Sequence, residues 1–220
     1  MVSRNLEDLS DVFQGRFPFE RISQIGLQTH VNKELRSFYE ADKQERINQP
    51  KANTPEYKAM RARDLQRRER VLAMAASNGL QTAEDYYHAA HIMNHGDSID
   101  DARNAHRFAL HASEMGCRPA RWLAATSYDR WQIYQGKPQK YGTNYVSDGR
   151  QDRLWEVDPT TTDEERAKWD VPPLAEQLRK AQEANRHKKP MSEDEQKEYE
   201  ANAPDWLKQA LKQWRTEQTT

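Results

Sequence analysis

Apolar residues along this chain recur at spacings of three and four, the mark of helices with one buried face. Val31, Leu35, Phe38 and Tyr39 define such a face on a helix expected from about Thr29 to about Asn48. A second helix is expected over Pro55–Asn78, closed by Gly79 in a left-handed C-cap. Thr82 with Asp85 has the form of a capping box and opens a helix running to about His95, ahead of Gly96. Ser98 with Asp101 repeats that signature for a helix that closes at Gly116. Pro119 suits a first-turn position, and the helix it opens carries Trp131 and Tyr134 before ending at Gly136. Upstream of all these, Ser3 caps a short helix bearing Leu6, Leu9, Val12 and Phe13, which Gly15 and Pro18 break.

After Gly136 the period disappears. Residues 137–160 hold no helical repeat, and Tyr141, Tyr145 and Val146 form an irregular strand at most. Thr162 with Glu165 caps a short helix that Pro172 and Pro173 stop. Charged helix follows, interrupted at Pro190 and Pro204, with Trp206, Leu207, Leu211 and Trp214 as its last apolar stripe. Residues 183–200 have almost no core formers and read as a solvated arm. The expectation is an all-α, compact helical domain of six to eight helices. Its core covers 1–174, and a charged helical extension covers 175–220.

Composition narrows the partners. Hydrophobic residues make up 35% and charged residues 31% of the 220, with a mean hydropathy of -1.16. That supply covers one face of each helix and leaves the other to water. Lys and Arg total 34 against 35 Asp and Glu, so the basic excess of a nucleic-acid binder is missing. No apolar run is long enough to span a bilayer, and the N-terminus lacks a secretory pattern, so a cytoplasmic protein with no membrane partner is expected. The single cysteine, Cys117, excludes an intramolecular disulfide and a cysteine-based zinc site. Phosphate loops, dinucleotide fingerprints and nucleophile elbows are absent.

Candidate chemistry lies where charge interrupts an apolar face. Asp42 shares the face of Phe38 and Tyr39, and Arg46 follows one turn later. Met60, Asp64, Arg67 and Val71 form one line on the next long helix. Trp122, Thr126, Asp129 and Ile133 form another, with Arg130 beside it. Each carboxylate is expected to point inward with an arginine nearby. Buried ions are costly unless paired, so these are either three structural ion pairs or the walls of one polar pocket.

In the pocket reading Arg46, Arg67 and Arg130 neutralise a small anionic or amide-bearing ligand, and Asp42, Asp64 and Asp129 orient them. His95 or His106 serves as general base with Asp129 in the catalytic group, for hydrolysis or group transfer. Gln139, Tyr141, Thr143 and Asn144, beside Gly142, supply a loop that walls the ligand. His88, His91 and His95 stack on one helix face with His106 adjacent, but the glutamate of the metalloprotease helix is missing and no metal or cofactor is assigned. The rival reading is a non-catalytic interaction module holding a protein partner, with Trp206 and Trp214 as anchors.

Two resemblances accompany these residues. Ala105, Phe108, Ala112, Gly116, Ala120 and Leu123 resemble a Sel1-type or tetratricopeptide helix pair. From about Phe38 to about Leu174 the chain also resembles an uncharacterised bacterial family, a domain of unknown function. The resemblance is carried by Asp42 to Arg46, Asp64 with Arg67 and Arg70, Asp85 to Ala90, Asn94-His95-Gly96, Ala105-His106, Trp122 to Ala125, Asp129-Arg130 and Gly136 to Thr143. Asn144 and Asn94 stand where that family usually has glutamine. It implies a choice of residues and no reaction.

Overall fold

A computed structural model describes residues 30–52, 54–186 and 188–217; the short helix expected near Ser3 lies outside them. The described residues form nine helices and one small hairpin, an all-α architecture. The helices are α1 (Lys33–Ile47), α2 (Pro55–Ala76), α3 (Ala83–Met93), α4 (Ile99–Glu114) and α5 (Pro119–Ile133), followed by α6 (Asp163–Lys168), α7 (Leu174–Asn185), α8 (Glu193–Asn202) and α9 (Asp205–Glu217). Between α5 and α6 lies the hairpin of β1 (Tyr145–Ser147) and β2 (Asp152–Leu154). Among these residues no helix is long and apolar enough to cross a membrane.

Local chemistry sets the helix ends. Asn32, Thr54 and Thr162 each accept a backbone N–H of the first turn behind them. Thr82 with Asp85 and Ser98 with Asp101 close complete capping boxes, as the sequence requires, and Ser192 with Glu195 forms a third. Gly116 and Gly136 take the left-handed conformation that ends α4 and α5. Behind α2 that role falls to Asn78 (φ 55°) rather than Gly79. Gly79 is needed for a different reason: its N–H bonds the Met74 carbonyl at 2.7 Å, and a Cβ there would lie 3.1 Å from that oxygen.

One core joins the first four helices through Leu35, Val71, Met74, Leu80, Ala89, Ile92, Met93 and Ala105. A second, of Ala90, Ala109, Leu123 and Ala124, joins α3, α4 and α5. Alanines let these helices approach closely: Ala105, Ala109, Ala112 and Ala120 have no exposed surface. The Asp85 carboxylate ties the start of α1 to α3, accepting from Asn32 N at 2.7 Å and Thr82 N at 3.0 Å.

The hairpin pairs Tyr145 with Leu154 and Ser147 with Asp152, antiparallel. Three-residue strands carry too little alternation to register as a sequence pattern. Asp148 organises the turn, accepting from the N–H groups of Arg150 and Gln151 at 2.8 Å and from Arg153 Nε at 2.7 Å. Asn185 of α7 grips Asp152 at both backbone groups, and Tyr199 of α8 donates to the Ser147 carbonyl. No residue of α8 is buried, in keeping with the solvated arm. Trp206 and Trp214 of α9 pack inside the chain, with ring centroids 5.4 and 5.8 Å from Trp155. Both side chains are partly buried in these contacts.

Candidate functional site

Two of the three inward carboxylates meet. Asp42 of α1 and Asp64 of α2 are each 1% exposed, and Arg46 reaches across from α1. Its Nη2 lies 2.7 Å from Asp64 Oδ2 and 3.5 Å from Asp42 Oδ1, while Nη1 contacts the Met60 sulfur. Arg67 adds hydrogen bonds to Glu45 at 2.9 and 3.0 Å and to Asp64 Oδ1 at 3.3 Å. The Met60, Asp64, Arg67, Val71 line is buried throughout. Its polar members form a closed network with α1.

Two residues of this network are not among the candidate site residues that the sequence offers. Arg61 donates to Asp64 Oδ2 at 2.8 Å and to the His95 carbonyl at 2.9 Å, and pairs with Asp97. Glu45 receives both Arg67 and Arg63. The usable signals were the i, i+3 spacing of Arg61 from Asp64 and of Glu45 from Asp42, each a neighbour on its helix surface.

The other side of Asp42 faces histidines. His91 sits in the last turn of α3, and His95 follows after Asn94, which remains in the right-handed helical region. The pair keeps its one-turn spacing, because the N–H groups of His95 and Gly96 continue onto the carbonyls of Ile92 and Met93. The turn is pinned from outside by Arg130 on the Asn94 carbonyl, Arg61 on that of His95 and Tyr134 on that of Gly96. Both Nδ1 atoms point at Asp42 Oδ2, His95 at 2.8 Å and His91 at 3.5 Å. Both imidazoles are therefore close polar partners of Asp42 Oδ2, although neither aims an N–H squarely at it. The rings themselves keep 26% and 22% side-chain exposure, while their Nδ1 atoms face inward. Among the described residues this is the one group of three histidine, cysteine or carboxylate side chains arranged to hold a metal ion.

The remaining predicted residues lie elsewhere. Asp129 is fully buried, yet it pairs with no arginine. Its carboxylate accepts from Lys140 N at 2.7 Å, Tyr141 N at 2.9 Å, Thr143 N at 3.0 Å and Thr143 Oγ1 at 2.8 Å. Arg130 is spent on the Asn94 carbonyl, and Trp122, the first residue of that line, is 45% exposed. Gln139 is fully buried and bonds Asn144 N, Asn144 O and Trp155 O; Asn144 returns to Thr126 and Thr143. Tyr141 packs with Ala125 and Val171. The loop satisfies itself, so its polar side chains hold backbone in place of a ligand. His106 is separate again, with Nδ1 2.9 Å from the Ala124 carbonyl and its ring beside Tyr128 and Trp131. His88 stacks on Tyr39 at 4.2 Å. His95 thus contacts Asp42, His106 contacts Tyr128 and Trp131, and Asp129 holds the loop of Tyr141.

Burial governs the protonation states. It would raise the Asp42 carboxyl, but His91, His95 and Arg46 together hold it far below the usual range. It raises Asp129 despite the four hydrogen bonds that oppose it. It lowers His88, lowers His95 against the pull of Asp42, and lowers His106 against the Ala124 carbonyl. These three imidazoles are thus neutral at neutral pH. The unfolded chain binds protons at them first, so their contribution to stability is present above an unfolded pKa of about 6.5 and lost as pH falls below it. The urea midpoint should therefore drop between pH 7.5 and pH 5.5. A midpoint that rises over that interval would contradict neutral buried imidazoles.

The class so defined is an all-α domain with a buried ion-pair network at the junction of α1, α2 and the end of α3. Compared with protein-family models, curated proteins and solved structures, the chain matches none.

Proposed function

We propose that the chain is a ligand-binding helical domain whose site is the Asp42–His91–His95 face of this junction. The observation that carries the reading is the convergence of three buried polar atoms, Asp42 Oδ2 and the two Nδ1 nitrogens, on one point. The contacts among them are poorly aligned, and a bound ligand would satisfy these atoms better than they satisfy one another. Arg46, Arg61 and Arg67 each already hold carboxylates. The free capacity therefore lies in lone pairs, and the ligand is a small species that accepts them.

The test separates function from structure. The triple variant Asp42→Leu/His91→Leu/His95→Leu removes the whole cluster and leaves Arg46 on Asp64 and Arg67 on Glu45 and Asp64. Its urea midpoint should stay close to that of the parent, because replacing all partners of a polar contact by apolar groups is nearly neutral. A loss of more than about 2 kcal/mol would mean the cluster is structural, and the reading fails.

A further inference from the structure

We propose that the Asp42–His91–His95 face binds a divalent first-row transition-metal ion; this rests on the ligand-binding reading above and names the ligand. Three features of the face fit an ion better than an organic molecule. The first is distance. An ion held tetrahedrally with bonds of about 2.1 Å separates its ligand atoms by roughly 3.4 Å. Here the Asp42 Oδ2 atom is 2.8 Å from His95 Nδ1 and 3.5 Å from His91 Nδ1, and all three atoms lie within 4.8 Å of one another. To admit the ion, Asp42 Oδ2 and His95 Nδ1 must part by about 0.6 Å, whereas Asp42 Oδ2 and His91 Nδ1 already stand at the required separation.

The second is the donor set. Two imidazole nitrogens and one carboxylate oxygen suit zinc, iron, cobalt, nickel or copper, whereas magnesium and calcium demand oxygen ligands. His91 and His95 are one turn apart on one helical track, the spacing by which two histidines of a helix reach one ion. Asp42 closes the set from the facing helix. A glutamate inside that track is not required for binding; in the hydrolytic motif it acts as a base and is not a ligand.

The third is the surrounding support. Arg46 and Arg67 approach the other oxygen of Asp42, at 3.5 and 3.9 Å, which fixes the carboxylate and leaves Oδ2 for the ion. The turn that carries His95 is held by Arg130, Arg61 and Tyr134. Both rings keep an exposed edge, while the three ligand atoms face inward toward one another.

The test uses the full, untagged chain after chelator treatment, titrated calorimetrically with zinc chloride, cobalt chloride and magnesium chloride. Zinc and cobalt should bind one to one and raise the melting temperature, and magnesium should do neither. His91→Ala and His95→Ala should each weaken zinc binding by more than about tenfold, the lower end of what loss of even an outer partner costs. His111→Ala, away from the cluster, should leave it unchanged. Absence of zinc and cobalt binding, or zinc binding retained by the His91→Ala/His95→Ala double variant, overturns the metal assignment. The urea midpoint of the Asp42→Leu/His91→Leu/His95→Leu variant tells the two failures apart. If it holds while metal fails, only the metal is lost; if it collapses, the ligand site falls with it.

Discussion

Replacing Asp64 with alanine should cost about 3 kcal/mol of folding stability, the low end of the 3–5 expected when one partner of a buried pair is removed. Asp64 is 1% exposed and serves Arg46, Arg61 and Arg67 at 2.7, 2.8 and 3.3 Å. Without it Arg46 is left with the longer contact to Asp42, and Arg61 with Asp97 and a carbonyl. The three guanidiniums then crowd one another with less negative charge between them. The low end of the range applies because Arg46 and Arg61 retain 18% and 21% side-chain exposure and recover some hydration. With an m-value near 2 kcal/mol/M, the urea midpoint should fall by about 1.5 M. A shift smaller than about 0.3 M would mean the network is solvated in solution.

Asp129→Ala should be at least as damaging, and for a different reason. It orphans three backbone N–H groups and one hydroxyl. At about 1–3 kcal/mol per unpaired buried group, with water entering the space for some of them, the loss is about 4 kcal/mol. Asp129→Asn should rescue little of it. One oxygen of the amide still accepts, but its NH2 is turned against donors that have nothing to give it. Hydrogen exchange should locate the damage, with protection lost at Lys140, Tyr141 and Thr143 and kept in α1 and α2. Protection that survives at those three amides would contradict the assignment of Asp129 as the organiser of the loop.

The two variants also show what the sequence could and could not reveal. Helix positions and caps were readable because they depend on residues three and four apart: both capping boxes, Pro119 and the left-handed Gly116 and Gly136 follow from local chemistry. That Asp42, Asp64 and Asp129 point inward was readable from helical period alone. Which of them meet was not. Period assigns a face, whereas the partner across that face depends on how helices far apart in sequence are packed. Asp129 therefore looked like the third member of one pocket, with Arg130 as its counter-ion. In the fold its partners come from backbone amides that carry no side-chain signature, and Arg130 goes to the Asn94 carbonyl. His91 belonged with His95 on spacing, and its ring needed only Asp42 opposite to become part of the site.

The sharpest check on the account is a zinc K-edge absorption spectrum of the zinc-loaded full chain. It should show two imidazole nitrogens at about 2.0–2.1 Å and a carboxylate oxygen at about 2.0–2.2 Å, with one imidazole shell lost in His95→Ala. A shell of oxygen atoms alone, or a spectrum that His91→Ala and His95→Ala leave unchanged, would place the ion elsewhere and contradict the account.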